Sequence, residues 1–264
     1  ADWYKTLWPF NFPFVFFVIY TDNLTEMPYA VMGWQSAKPA FLYRQDVPTV
    51  TKRFVNGGIS IMSKAAFDDV TARKNRDNAR LRKIAIRHGA IALSAITIWG
   101  TSDYWATETG LFLAESVSLI NAIFAGTITA YIIHEWGHFT GARVSGSISP
   151  VLKEPVSFFM FNFKDNLNTQ GQFLSMSVGG PLANWSLFIL IFILLPLNTW
   201  SQAMFLATTF AIATSVSMFE FPVIQRVVYG DNPAETINKR QTESGNTPRT
   251  AGIIAGAALW ILTI

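Results

Sequence analysis

Residues 134–138 read His-Glu-Trp-Gly-His, at the end of the apolar run TITAYIIHEWGHFTG. On a helix, residues i and i+4 share a face one turn apart. His134 and His138 are therefore expected to present two imidazoles to a single metal ion. Glu135 is turned away by about 100° and reaches a water beside that ion instead. Zinc suits the pair, because neutral imidazole is among its preferred ligands. Zinc brings the pKa of water to about 7, and an adjacent carboxylate can take the proton and return it to a leaving amine. The chemistry of this stretch is thus metal-assisted peptide hydrolysis, with Glu135 as base and acid. The chain has only three histidines, and two of them stand here. Ionisable groups are costly beside a bilayer core, and where they occur they mark function.

A catalytic zinc takes three protein ligands and keeps one position open. Two acidic residues are candidates for the third. Glu220 interrupts the apolar run SVSMFEFPVIQ, and Asp231 follows where that run ends. Glu220 is the preferred reading, with Asp231 as the alternative. The stretch SVGGPLANW supplies further candidates. Gly179 and Gly180 allow close approach to the backbone. Asn184 is suited to hydrogen-bond a substrate carbonyl or oxyanion. These three are expected to line the substrate path.

These residues need membrane helices to hold them. Half of the 264 residues are hydrophobic and 14% are charged, where a soluble domain carries about a quarter. Mean hydropathy is +0.29. About five spans are expected, near 84–100, 115–141, 176–197, 202–228 and 250–264. The run FPFVFFVIY at 12–20 is short and contains Pro13, so it reads as interfacial or re-entrant. The fold class is an all-α, multi-pass integral membrane protein. Residues 1–83 form an aromatic and basic extension, and 84–264 form the transmembrane domain. Net charge is +3 and there is no cysteine. Nucleic-acid partners are not indicated, and thiolate ligands are excluded. Basic residues fall on alternate sides of the spans: Arg73 to Arg87, then Arg143, Lys153 and Lys164, then Arg226 to Arg249. By the positive-inside rule, that side and the His138 end of the second span are cytoplasmic, or its organellar equivalent.

The stretch HEWGHFTGARVSG, followed by GGPLAN at the head of a later span, resembles the site-2 protease family of intramembrane zinc metalloproteases. The likeness covers about residues 111–230. It implies a three-helix core, with His134, Glu135 and His138 on the first helix and Gly180 and Asn184 on the second. The family's Asp-Gly motif on the third is not visible; FEFPVIQ, with Glu220, stands near its place. The resemblance also implies a strand-like segment between the first two core helices. PVSFFMFNFKDNLNTQGQFLSM fits this loosely, with Phe159, Phe161 and Phe163 alternating. It is read as a small hairpin or re-entrant segment. The functional expectation is a zinc-dependent intramembrane endopeptidase whose substrate is a membrane-spanning segment of another protein. The alternative is an inactive, site-2-protease-like structural or regulatory subunit of a larger membrane complex.

Overall fold

The computed structural model describes residues 52–55, 58–61, 64–155 and 158–264. The run at 12–20 lies outside them. The chain divides into two compact units, one ending at Ala72 and one running from Arg73 to Ile264. The first holds an antiparallel pair of short strands, β1 (Lys52–Val55) and β2 (Gly58–Ile61), with Lys52 opposite Ile61. The second is a helical bundle built from the part of α1 (Lys64–Thr109) that follows Ala72, with α2 (Phe112–Val144), α3 (Gln170–Leu194), α4 (Trp200–Val228), α5 (Pro233–Ser244) and α6 (Thr247–Thr263).

Four of these helices, α1 to α4, are long and apolar enough to cross a membrane. The chain is an all-α multi-pass membrane protein. The fifth expected span forms α6, whose 17 residues make about 25 Å of helix against a hydrocarbon core of about 30 Å. It packs along α4. Gly252 and Gly256 lie so close to Ala211 and Ser215 that a Cβ on either would collide.

α1 differs most from expectation. Its 46 residues are roughly twice the ~20 that a membrane span needs. The boundary expected at 83–84 falls inside it. No proline interrupts residues 64–109, and the charged part is rich in Ala, Arg and Lys, all good helix formers. At its other end α1 continues through the stretch expected to be a loop, leaving only Gly110 and Leu111 before α2. Gly110 takes φ +60 there, a conformation that favours glycine.

Three of the later helix starts are capped by side chains. Thr169 and Gln172 form a reciprocal capping box for α3. Thr199 caps α4 by accepting from Gln202 N at 3.1 Å. Asn232 caps α5, with Pro233 in its first turn.

Between α2 and α3 the chain makes a short antiparallel ribbon. Leu152 N donates to Met160 O, Asn162 N to Pro150 O and Lys164 N to Ile148 O, around a bridge between Val151 and Phe161. A hairpin is present but shifted from the stretch expected: its second arm, 160–164, lies in that stretch, while its first arm, 148–152, precedes it. Its alternating phenylalanines do not leave a polar face, however: Phe158 to Phe161 and Phe163 are all buried. Both sides are covered, because Met160 on one side and Phe161 and Phe163 on the other all join Ile84, Phe139, Val223 and Ile237 in one apolar core shared by the helices.

Candidate metal centre

α2, α3 and α4 pack on one another and carry the candidate residues. α2 and α3 cross at backbone contact distance. A Cβ on Gly137 or Gly179 would collide with the opposite glycine's carbonyl, and one on Gly141 with Ser175 O. Gly137 and Gly141 stand four apart, the small-residue spacing that lets membrane helices approach closely. The crossing places Gly180 directly under the two imidazoles. A Cβ there would lie 2.5 Å from His138 Nε2 and 2.6 Å from His134 Cε1. Glycine at 180 makes the room in which both rings sit.

The rings are oriented from behind. His138 Nδ1 donates to Met176 O at 2.9 Å, which turns its Nε2 toward the centre. The Asn184 amide lies 3.3 Å from His134 Nδ1, and its Oδ1 is buried without a partner. Such outer contacts fix ring tautomer and direction at metal sites.

Three ligand atoms then converge. His134 Nε2 lies 3.0 Å from His138 Nε2. Glu220 Oε1 lies 3.1 Å from the first and 3.3 Å from the second. Bonds of about 2.0–2.1 Å to a tetrahedral ion put ligand atoms about 3.3 Å apart. The triangle is therefore close to one face of a zinc tetrahedron. Among the described residues, His134, His138 and Glu220 are the group arranged to hold a metal ion. Their side chains retain 8%, 16% and 17% exposure, so the cluster is not sealed. The second oxygen, Glu220 Oε2, is buried without a partner. Glu135 is buried on the same turn of α2 and interacts electrostatically with all three residues.

The candidates thus separate. Glu220 joins the histidines, while Asp231 lies exposed beyond the end of α4 and outside the group. Gly179, Gly180 and Asn184 each have a contact inside the protein, with α2 or with an imidazole. Several contributors escape a reading by motif. Met176 acts through its carbonyl. His88 of α1 is 1% exposed and accepts from Trp136 Nε1 at 3.2 Å, tying α1 to the residue after Glu135. Compared with protein families, curated proteins and solved structures, the chain matches none. The reading of the centre rests on its own geometry.

Proposed function

We propose that this chain is a zinc-dependent intramembrane endopeptidase of the site-2 protease kind, cleaving membrane-spanning segments of other proteins. The observation that carries the reading is the near-tetrahedral triangle of His134, His138 and Glu220 beside a buried Glu135. His134 and His138 bind zinc through Nε2, and Glu220 binds it through a carboxylate oxygen. When bound, zinc supplies a Lewis acid that polarises a carbonyl and makes water nucleophilic near neutral pH. Glu135 takes the proton of the attacking water and delivers it to the leaving amine nitrogen. Met176 O and the Asn184 amide hold the two imidazoles in place. The surrounding helices leave the cluster only slightly exposed, and low-dielectric surroundings strengthen each electrostatic contact. In this reading the basic ends of α1, α2 and α4, with the centre beside them, face the cytoplasm or its organellar equivalent.

The test is the zinc content of detergent-solubilised protein by elemental mass spectrometry, together with cleavage of transmembrane substrates. About one zinc per chain is expected, lost on His138→Ala and on Glu220→Ala. Glu135→Gln should keep the zinc and abolish cleavage. A wild type that takes up no zinc when supplied with it overturns the proposal. Zinc without cleavage of any transmembrane segment supports the inactive subunit of a membrane complex instead.

A further inference from the structure

α4 carries Pro222 within its length. Proline has no N–H, so the carbonyl four residues earlier loses its helical partner. That carbonyl belongs to Met218. Its replacement donor comes from another helix: Arg240 Nη2 of α5 donates to Met218 O at 2.7 Å. The bond is made in the turn that carries Glu220, two residues on from Met218. Arg240 meanwhile keeps its Nε buried without a partner, an arrangement that carries a desolvation penalty. α5 is well placed to hold it. The helix is capped by Asn232, packs on α4, and sinks Ile237 into the core that also contains Val223 and Val227.

We propose that Arg240 is a positioning residue for the third ligand. It splints α4 across the proline break and so keeps the Glu220 carboxylate within reach of both imidazoles. The role in metal binding rests on the zinc reading above; the splint itself does not. Pro222 leaves the turn around Glu220 short of one backbone bond, and Arg240 restores it from the side. α5 thereby joins the centre without contributing a ligand.

The test is a cycle between Arg240→Met and Pro222→Ala, since alanine at 222 gives Met218 O its own backbone donor. Two quantities are read in the full-length, detergent-solubilised protein. One is amide hydrogen exchange over residues 219–226 in the zinc-free state. The other is zinc affinity by chelator competition. Arg240→Met should speed exchange about tenfold or more and weaken zinc by about 10- to 100-fold, as outer-shell changes do. Arg240→Lys, which keeps a donor, should recover most of both. On the Pro222→Ala background, Arg240→Met should change either quantity by less than about threefold. That double variant also shows whether the chain folds without the arginine. Unchanged exchange in Arg240→Met, or equal losses on both backgrounds, overturns the splint. Changed exchange with unchanged zinc affinity overturns the positioning role alone. A wild type that binds no zinc overturns the metal reading and the ligand role, while the exchange comparison still decides the splint.

Discussion

Two carboxylates, a buried Asp103 and a partly buried Glu220, sit near opposite ends of the helical bundle, and they are treated in opposite ways. Asp103, on α1, accepts at Oδ1 from Thr199 Oγ1 at 2.8 Å and from Ser201 Oγ at 2.6 Å, with Ser118 Oγ at 3.5 Å. Its Oδ2 accepts from Gln202 Nε2 at 3.1 Å. The contacts link α1, α2 and the first turn of α4, where a negative charge also meets the favourable end of the helix dipole. Glu220, on α4, has one oxygen within 3.3 Å of two imidazole nitrogens and the other with no partner at all. Asp103 has what a buried charge needs to be stable. Glu220 has what the proposed ligand role needs: an oxygen, Oε1, aimed where two imidazole nitrogens already point. The first arrangement ties the fold together, and the second is the one the proposed zinc site would use.

The comparison can be broken most sharply at Gly180. Alanine there would drive its methyl into both rings. Overpacking a tight core costs about 1–3 kcal/mol, and here the groups displaced are the two proposed histidine ligands. Gly180→Ala should abolish zinc binding, as measured by metal content. Stoichiometric zinc in that variant would mean that the α2–α3 crossing is looser than its contacts indicate.

The two carboxylates should next be exchanged for their amides. Glu220→Gln keeps shape and one acceptor oxygen but loses the charge. It should reduce zinc binding by about 100-fold or more and leave the melting temperature of the zinc-free protein nearly unchanged. Asp103→Asn should do the reverse. It places an N–H₂ among donors and weakens charge-assisted bonds of about 1.5–3 kcal/mol each, so unfolding moves to lower temperature while zinc content stays at the wild-type level. Loss of zinc in Asp103→Asn would show that the two ends of the bundle are coupled. A smaller effect is expected at Asn184. Alanine there frees the back of His134 and should weaken zinc by about 10- to 100-fold, without removing it.

The sequence made one of these carboxylates legible and hid the other. Glu220 stands out because it interrupts an apolar run, and its depth could be matched to the histidines because the second and fourth spans run in the same direction. Asp103 sits beside Ser102 and Tyr104, a stretch that reads equally well as a polar loop. Only the register of α1 against α4, set by contacts such as Trp99 Nε1 to Ser201 Oγ at 2.9 Å, shows that it is buried. The i, i+4 histidines are local and were readable. The glycine crossing was partly readable, since GGP and the Gly137–Gly141 spacing are printed in the sequence, but their pairing across helices is not. The Arg240 contact had a signal too: a proline inside a helix announces an orphan carbonyl four residues back. Which side chain answers it depends on tertiary packing.

The smallest effect separates the ribbon from the centre. α1 covers the outer edge of the ribbon with side chains in place of a strand. Asp77 Oδ1 accepts from Val151 N at 2.7 Å, Arg80 Nη1 donates to Val151 O at 3.3 Å, and Arg143 of α2 pairs with the same Asp77. Because Arg143 and Asp77 remain partly exposed, their pairing is worth little, about 0–1 kcal/mol. The backbone bond to Val151 matters more, since an uncovered strand edge must find another partner. Asp77→Ala should therefore destabilise the protein by about 1–2 kcal/mol, seen as a modest fall in melting temperature. Hydrogen exchange should rise at Val151 and stay unchanged at Glu220. If zinc affinity fell along with ribbon protection, the ribbon would be a support of the centre. If only the ribbon loosened, α1 would be acting as an edge cover, and the three-helix centre would stand on α2, α3 and α4 with α5 as its splint.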